Sequence, residues 1–406
     1  MVKVAIMGFG TVGSGVYEVL RNNRKSIMEK TGKDIDVKYI LDIRDFPDHP
    51  EKELFTKNFD DILNDNEVSI VAEVMGGLKP AYDFTKRALQ AGKNVVTSNK
   101  ELVATYGDEL MQIAREKGVK YFFEASVGGG IPVIRPMSQC LAANNIISVA
   151  GILNGTTNFI LNQMISKGKS FDVALKEAQE NGYAEKDPTA DIEGFDASRK
   201  ISILGSLATG GKIDYNKVYT KGISDITLDD IEYASELDSV IKLIGYFRKV
   251  NDDKCIVKVS PMVVSNDNLL SGVNGVYNAV MVEGDAVGKT MFYGHGAGKL
   301  ATASAVCADI VDIAENPLKN NTSYWKPECK LEILPEEETF AQFLVVIKTT
   351  DKEKAISYLT DNTVIEKTID IKDEEIGILT KEIAKKDLLS AISDLDAEIK
   401  KVIQVL

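Results

Sequence analysis

The spacing of apolar and polar residues changes repeatedly along this chain, and the changes mark its elements. Val2–Met7 is nearly all apolar and β-branched, as expected for a strand buried on both faces of a parallel sheet. Directly after it, Val12, Val16, Val19 and Leu20 fall on one helical face. The same alternation predicts strands over Asp36–Ile43, Val68–Val74, Asn94–Thr97 and Tyr121–Ala125. Helices are predicted over Pro80–Ala91 and Leu102–Glu116. Strands and helices that alternate with short loops make a doubly wound parallel α/β sheet, in which ligands sit beyond the strand C-termini.

From Ile131 the pattern changes. Pro132–Ala143, Phe159–Ser166, Phe171–Asn181, Asp229–Ser235 and Ser239–Lys249 read as helical. Ile146–Leu153, Val250–Val264 and Gly275–Val282 read as strands, the last two of an antiparallel sheet. Ala301–Ala314 is a helix of small residues, expected to return to the first domain. Asn316–Pro335 reads as a polar linker carrying the single Trp325. The tail, 336–406, reads β-α-β-β-α-β, a ferredoxin-like order that includes a strand from Val364.

Chemistry concentrates at the predicted loops. Gly8-Phe9-Gly10-Thr11-Val12-Gly13 joins the first strand to the first helix, the setting in which GxGxxG cradles a pyrophosphate at a helix N-terminus. The competing reading is an ordinary glycine-rich turn. Asp42 and Arg44 end the second strand: an acid there suits a ribose 2′-hydroxyl (NAD), an arginine a 2′-phosphate (NADP), and Arg44 tips the reading toward NADP. Gly76, Gly77, Asn99 and Lys100 also fall at strand ends. Glu124 to Ile131 holds three successive glycines, read either as a hinge or as a nest of carbonyls for a monovalent cation with Glu124 as its charged ligand.

Asn181 to Leu204 is the densest stretch, with Glu185, Asp187, Asp191, Glu193, Asp196, Arg199 and Lys200 in one loop and one helix start. Asp196, Lys200, Ile203 and Leu207 recur at helical spacing beside Ala197, Ile201 and Leu204. The lysine is thereby carried toward an apolar face one turn from an acid, where proton affinities are adjusted. An exposed i, i+4 ion pair is the plainer alternative.

Composition narrows the classes. The 406 residues carry a net charge of −13, which argues against nucleic acid as a partner. Four dispersed cysteines without a CxxC pair argue against zinc and disulfides, and Cys140 and Cys307 read as core thiols. Only His49 and His295 are present, so proton chemistry falls to lysines and carboxylates. No apolar run approaches the ~18 residues of a membrane helix. Neither membrane nor signal peptide is expected, and a cytoplasmic location is.

The motifs GFGTVGSG (8–15), SNKELVA (98–104), EASVGGGIPVI (124–134), LNGTTNFIL (153–161), GYAEKDPTADIEGFDASRK (182–200) and GHGAGKLATASAV (294–306) resemble those of the homoserine dehydrogenases in order and spacing. The tail resembles an ACT regulatory domain. It lacks the usual Pro-Gly turn after its first strand and has Thr349-Thr350-Asp351-Lys352 instead.

The resemblance implies NAD(P)-dependent interconversion of L-homoserine and L-aspartate 4-semialdehyde in threonine and methionine biosynthesis. By motif it assigns Lys200, Lys100 and Asp196 to catalysis, and Glu185, Asp191, Tyr183, Gly155 and Thr156 to substrate. It assigns Gly8, Phe9, Gly10, Thr11, Val12, Gly13, Arg44, Gly76 and Lys100 to the cofactor. Glu124, with the carbonyls of Val127, Gly129 and Ile131, is assigned to a sodium or potassium ion.

The implied division is a Rossmann domain (1–130, completed by the helix near 299–316), a catalytic and dimerisation domain (131–316), a linker (317–335) and an ACT-like domain (336–406) that holds an amino-acid effector. A homodimer is expected through the middle sheet, which has more apolar strand than helix cover. Two other readings are a nucleotide-binding sensor without turnover and another Rossmann aldehyde reductase using a cysteine.

Overall fold

A computed structural model describes residues 1–317, 325–362 and 365–406. Two compact units divide the chain. Unit 1 comprises 1–146, 202–216 and 283–330, and unit 2 comprises 147–201, 217–282 and 331–406.

Unit 1 is built on six parallel strands: β1 (Val2–Met7), β2 (Ile35–Leu41), β3 (Phe55–Thr56), β4 (Val68–Glu73), β5 (Asn94–Thr97) and β6 (Tyr121–Phe122). Their order is β3-β2-β1-β4-β5-β6. The order reverses between β1 and β4, which puts a crevice beyond their C-terminal ends. Val4, Ala5, Ile6 and Met7 are fully buried, as a strand covered on both faces must be. The Lys299–Glu315 helix joins this unit, burying Ala303, Val306 and Ile310 with Val16 and Leu20 of the Thr11–Asn22 helix. Gly15 permits that approach: a Cβ there would lie 2.6 Å from the Lys299 carbonyl oxygen.

Trp325 is not in a loose linker. It is 2% exposed, and its ring meets Phe123 edge-on at 5.5 Å. The preceding residues, 318–324, lie outside the described ones, as does Val364 at the start of a predicted tail strand.

Unit 2 is organised on one long sheet. The Ser239–Lys249 and Lys254–Ser265 strands pair antiparallel over eleven positions, from Ser239↔Ser265 to Lys249↔Cys255. Ile146–Ile152 flanks the first of them. The tail continues the sheet by a parallel pairing of Lys254–Ser265 with Glu398–Val405, at Met262↔Gln404 and Val263↔Val405. Within the tail, Glu398–Val405, Phe343–Lys348, Glu375–Thr380 and Ile365–Lys372 lie side by side in that order. With the Lys352–Asn362 and Lys385–Ser393 helices this is the ferredoxin-like βαββαβ arrangement. Its core is Phe343, Val345, Ile347, Leu359, Ile376, Ile378, Leu388 and Ile392.

Four local expectations are corrected. Ser239–Lys249 is a strand, not a helix. Ile241, Leu243, Ile244 and Phe247 are all buried, so both of its faces are apolar and the period of two is hidden. Pro132–Ala143 forms only a π-turn at Pro136–Cys140. Pro132 and Pro136 lack N–H donors, and the N–H groups between them go to a side chain described below. Cys140 is consequently exposed rather than a core thiol. The helix predicted from Phe159 begins four residues earlier, at Gly155, because Asn154 caps it.

Candidate active site

Unit 1 holds the glycine turn. Gly8 has φ +96°, and a Cβ on Gly13 would sit 1.9 Å from the Gly8 carbonyl oxygen, so the tight turn requires both glycines. Gly10 precedes the Thr11–Asn22 helix, whose first turn, including Val12, has no acidic residue. That end presents N–H groups and a positive dipole end, which suits a pyrophosphate.

Phe9 is wedged edge-on against Tyr17, Phe46, His49 and Phe55, with centroids 5.0–6.0 Å away. The Phe9 N–H donates to Asp42 Oδ2 at 2.7 Å. Asp42 also accepts from the Arg44 backbone N–H at 2.9 Å and from its guanidinium at 2.9 and 3.0 Å. The arginine, chiefly, holds the Asp42 carboxyl well below the usual carboxylate range. Beyond this pair lies a cavity of about 390 Å³ lined by Arg44, Lys52 and Lys57 together with Asp42 and Asp45, and Lys57 pairs with Asp45 at 2.7 Å.

The turns after β4 and β5 are tied to one another. Gly76 and Gly77 both have positive φ (80° and 68°). The fully buried Glu73 accepts from the Met75 N–H at 2.9 Å and from Thr97 Oγ1 at 2.6 Å, and burial pushes its carboxyl up. Asn99 Nδ2 donates to the Gly77 carbonyl at 2.6 Å while its Oδ1 caps the helix through the Leu102 N–H. Lys100 is therefore the first residue of the Lys100–Lys117 helix. A cation there sits at the positive end of the helix dipole.

The third cluster of unit 1 does not match expectation. The Glu124 carboxylate accepts three backbone N–H groups, from Val133 (2.6 Å), Ile134 (2.8 Å) and Arg135 (2.7 Å). It is committed to capping the Pro136–Cys140 turn and does not fit the role of a cation's charged ligand. The Val127, Gly129 and Ile131 turn packs instead on the third glycine cluster: Gly130 N–H donates to the His295 carbonyl at 3.1 Å, and a Cβ on Gly129 would meet the Gly296 oxygen at 2.2 Å. His295 itself is exposed. Asp309 accepts from the Glu124 N–H at 3.0 Å and from Arg135 at 2.6 Å. Among the described residues no group of three or more His, Cys, Asp or Glu could hold a metal.

Unit 2 holds the lysine–carboxylate centre. Asp196 and Lys200 are 3% and 7% exposed on the Phe195–Thr209 helix. Lys200 Nζ donates to Asp196 Oδ2 and to the Leu153 carbonyl, each at 2.7 Å. Gly245 lets this helix start come down on the sheet, since a Cβ there would be 3.3 Å from Ile201 Cβ.

Asn154, which the sequence reading did not single out, joins the acids. Its Nδ2 donates to Asp191 Oδ1 at 2.7 Å and Asp196 Oδ2 at 2.9 Å, while its Oδ1 caps the Gly155–Lys167 helix through Thr157 N–H. An asparagine just before a Gly-Thr-Thr run is a helix-start signal; its second task needs the fold. Thr156 Oγ1 donates to the Tyr183 carbonyl at 2.6 Å, and the half-exposed Tyr183 ring leans edge-on against Phe159. Glu185 is exposed on the same loop. Lys200, Asp196, Asp191, Thr156 and Tyr183 are thus linked, and Glu185 stands at their border.

A pyrophosphate cradle in one unit and a buried lysine–carboxylate centre in the other are the equipment of a dinucleotide-dependent oxidoreductase. Residues 8–124 match the homoserine dehydrogenase NAD-binding domain, and 132–311 match homoserine dehydrogenase. The chain belongs to the homoserine dehydrogenase family.

It is 38% identical to the homoserine dehydrogenase of Neisseria gonorrhoeae, over 98% of this chain and 95% of that one. The structure of a homoserine dehydrogenase from Thiobacillus denitrificans superposes with a TM-score of 0.93 at 38% identity, covering 100% of this chain and 98% of that one. A hyperthermophilic archaeal homoserine dehydrogenase mutant in complex with NADPH superposes at 0.67 and 30% identity, covering 79% of this chain and 99% of that one.

Asp309 generates a pH prediction. Burial, then Glu124, push its carboxyl up to about 7 from 3.8. Between those values the native state holds a proton that the unfolded chain has lost. Stability therefore falls as pH rises from about 4 to about 7, by at most ~1.4 kcal/mol per pH unit. Denaturant titrations across that window should show a shallower slope for Asp309→Asn. Equal slopes would exclude this group as the cause.

Proposed function

We propose that Lys200 is the proton donor and acceptor in the NAD(P)-dependent interconversion of L-homoserine and L-aspartate 4-semialdehyde, a reaction of amino-acid biosynthesis. The observation that carries this is the buried ammonium 2.7 Å from Asp196 and joined through Asn154 to Asp191. A bound nicotinamide supplies or takes the hydride. Reduction of the aldehyde leaves an alkoxide, and Lys200 stabilises that oxygen and protonates it; in the reverse direction it removes the hydroxyl proton. Asp196 keeps the lysine oriented and charged. Asp191 and Glu185 take the substrate ammonium, which offsets the repulsion among the loop's acids. Gly155, Thr156 and Tyr183 contact substrate. Lys100 serves catalysis and the cofactor, and Gly76 the cofactor.

The Gly8–Gly13 turn takes the pyrophosphate. NADP is favoured over NAD, because both Asp42 oxygens are already engaged while Arg44 and Lys52 offer charge to a 2′-phosphate; Lys57 is paired with Asp45 at 2.7 Å. A sodium or potassium ion, if held, rests on the carbonyls of Val127, Gly129 and Ile131, without the Glu124 side chain.

The tail's ferredoxin-like order and the motif resemblance support an ACT-like domain over 336–406 with an amino-acid effector, following a catalytic and dimerisation domain over 131–316 and a linker over 317–335. The protein is read as a cytoplasmic homodimer. No helix among the described residues is long and apolar enough to cross a membrane. Burial pushes the Cys307 thiol up to about 12, which weighs against that residue as the nucleophile of the cysteine-dependent alternative.

Three measurements check these readings. NADPH consumption with L-aspartate 4-semialdehyde should fall about 10³-fold in kcat for a folded Lys200→Met variant; turnover near the wild-type rate would move the proton chemistry elsewhere. Arg44→Ala should raise the KM for NADPH about tenfold and leave that for NADH unchanged, and a parallel rise in both would sink the NADP reading. Light scattering on the eluting peak should give about twice the 44.4 kDa chain mass, whereas a single chain mass would dismiss the dimer.

A further inference from the structure

Unit 2 buries a second lysine, one that the proposed proton transfer does not use. Lys242 lies in the Ser239–Lys249 strand and is 1% exposed. Its Nζ donates to the Val273 carbonyl at 2.6 Å, to Asn158 Oδ1 at 3.2 Å and to Asn274 Oδ1 at 3.2 Å. All three acceptors are neutral oxygens. An ammonium buried on such partners is costly to keep, and burial pushes it down to about 8.

The acceptors belong to one small assembly. Asn158 Nδ2 donates toward the carbonyls of Val273, Gly275 and Tyr277, each at 3.1 Å. Asn162 Oδ1 accepts from the Gly275 N–H at 3.3 Å. The 273–277 loop therefore turns its carbonyl oxygens inward on a carboxamide and an ammonium. Oxygens gathered in this way repel one another unless a cation or donor stands among them.

The loop lies against the turn that carries the site. A Cβ on Gly155 would be 2.7 Å from the Val276 oxygen and 3.4 Å from Asn278 Oδ1, so no slack separates them. The residue before Gly155 is Asn154, which holds Asp191 and Asp196. A displacement of the loop is transmitted to the start of the Gly155–Lys167 helix and from there to the acids around Lys200.

We propose that Lys242 is a positioning residue: a tethered cation that draws the 273–277 loop onto Asn158 and thereby sets the Gly155–Thr157 turn for substrate. This rests on the reading that Gly155 and Thr156 contact homoserine.

The test uses the full-length enzyme with L-homoserine and NADP⁺. Lys242→Met should melt cooperatively and raise the homoserine KM about tenfold, with the NADP⁺ KM within about twofold of wild type. Lys242→Ala removes the equivalent of n-propylammonium. Added n-propylammonium chloride should lower its homoserine KM at least about threefold, where equal sodium chloride does not and wild type is unaffected. An unchanged homoserine KM in folded Lys242→Met, an equal rise for both substrates, or no rescue by the amine overturns the proposal.

If Lys242→Met does not fold, Asn274→Ala at the exposed edge of the loop carries the test. A homoserine KM about threefold higher supports the proposal, and no change overturns it. Thr156→Val separates the two readings. If it leaves the homoserine KM unchanged, the substrate assignment fails and this inference with it. If it raises that KM while the Lys242 variants do not, only the inference fails.

Discussion

Taking an ammonium out of water is the constraint to which much of unit 2 answers. Lys200 is nearly buried, and an isolated charge there would be expelled or neutralised. Three features keep it in place. Asp196 stands one helical turn earlier, the Leu153 carbonyl follows the Ile146–Ile152 strand, and Asn154 donates to the same Asp196 oxygen as the lysine. Removing one partner of such a pair costs ~3–5 kcal/mol because the other is left buried and uncompensated. The centre is therefore rigid as well as charged.

The supports of that centre are backbone features more than side chains. Gly245 lets the helix start approach the sheet, Gly194 at φ +83° turns the acidic loop into the helix, and Gly155 lets a neighbouring loop touch the helix beside Asn154. Unit 1 follows the same logic, with Gly8 and Gly13 shaping the cradle and Gly15 admitting the returning helix. At Gly155, Gly13 and Gly15 a side chain would fill space that a backbone oxygen occupies, and at Gly245 it would meet the Leu153 and Ile201 side chains. Carboxylates serve a parallel purpose: Glu73, Asp42 and Glu124 each accept from backbone N–H groups and pin a turn. Glu124, an acid in a glycine-rich loop, thus serves as a cap in the folded chain.

Much of this was legible in the residues alone. The parallel sheet, its glycine turn, the returning small-residue helix and the βαββαβ tail each rest on short-range periodicity, which the fold preserves. The lysine one turn from an acid on an apolar face was equally readable, because i, i+4 geometry belongs to the helix itself. The Ser239–Lys249 segment was misread because burial on both faces erases the period that separates strand from helix. The Pro132–Ala143 segment was misread because its donors are taken by a carboxylate nine to eleven residues earlier, which no local pattern reveals.

What the chain determined by itself, then, was its elements, its cradle and the candidate lysine, since each depends on neighbours within a few residues. Only the tertiary structure decided the partners. It brought Asn154 to two acids 37 and 42 residues away, closed Asp42 onto the Phe9 N–H, and buried Lys242 among oxygens from two distant segments. Hydrogen-bond partners across such separations are chosen by where strands pair and helices land. That choice is made by the burial of the whole apolar surface, not by any stretch of it.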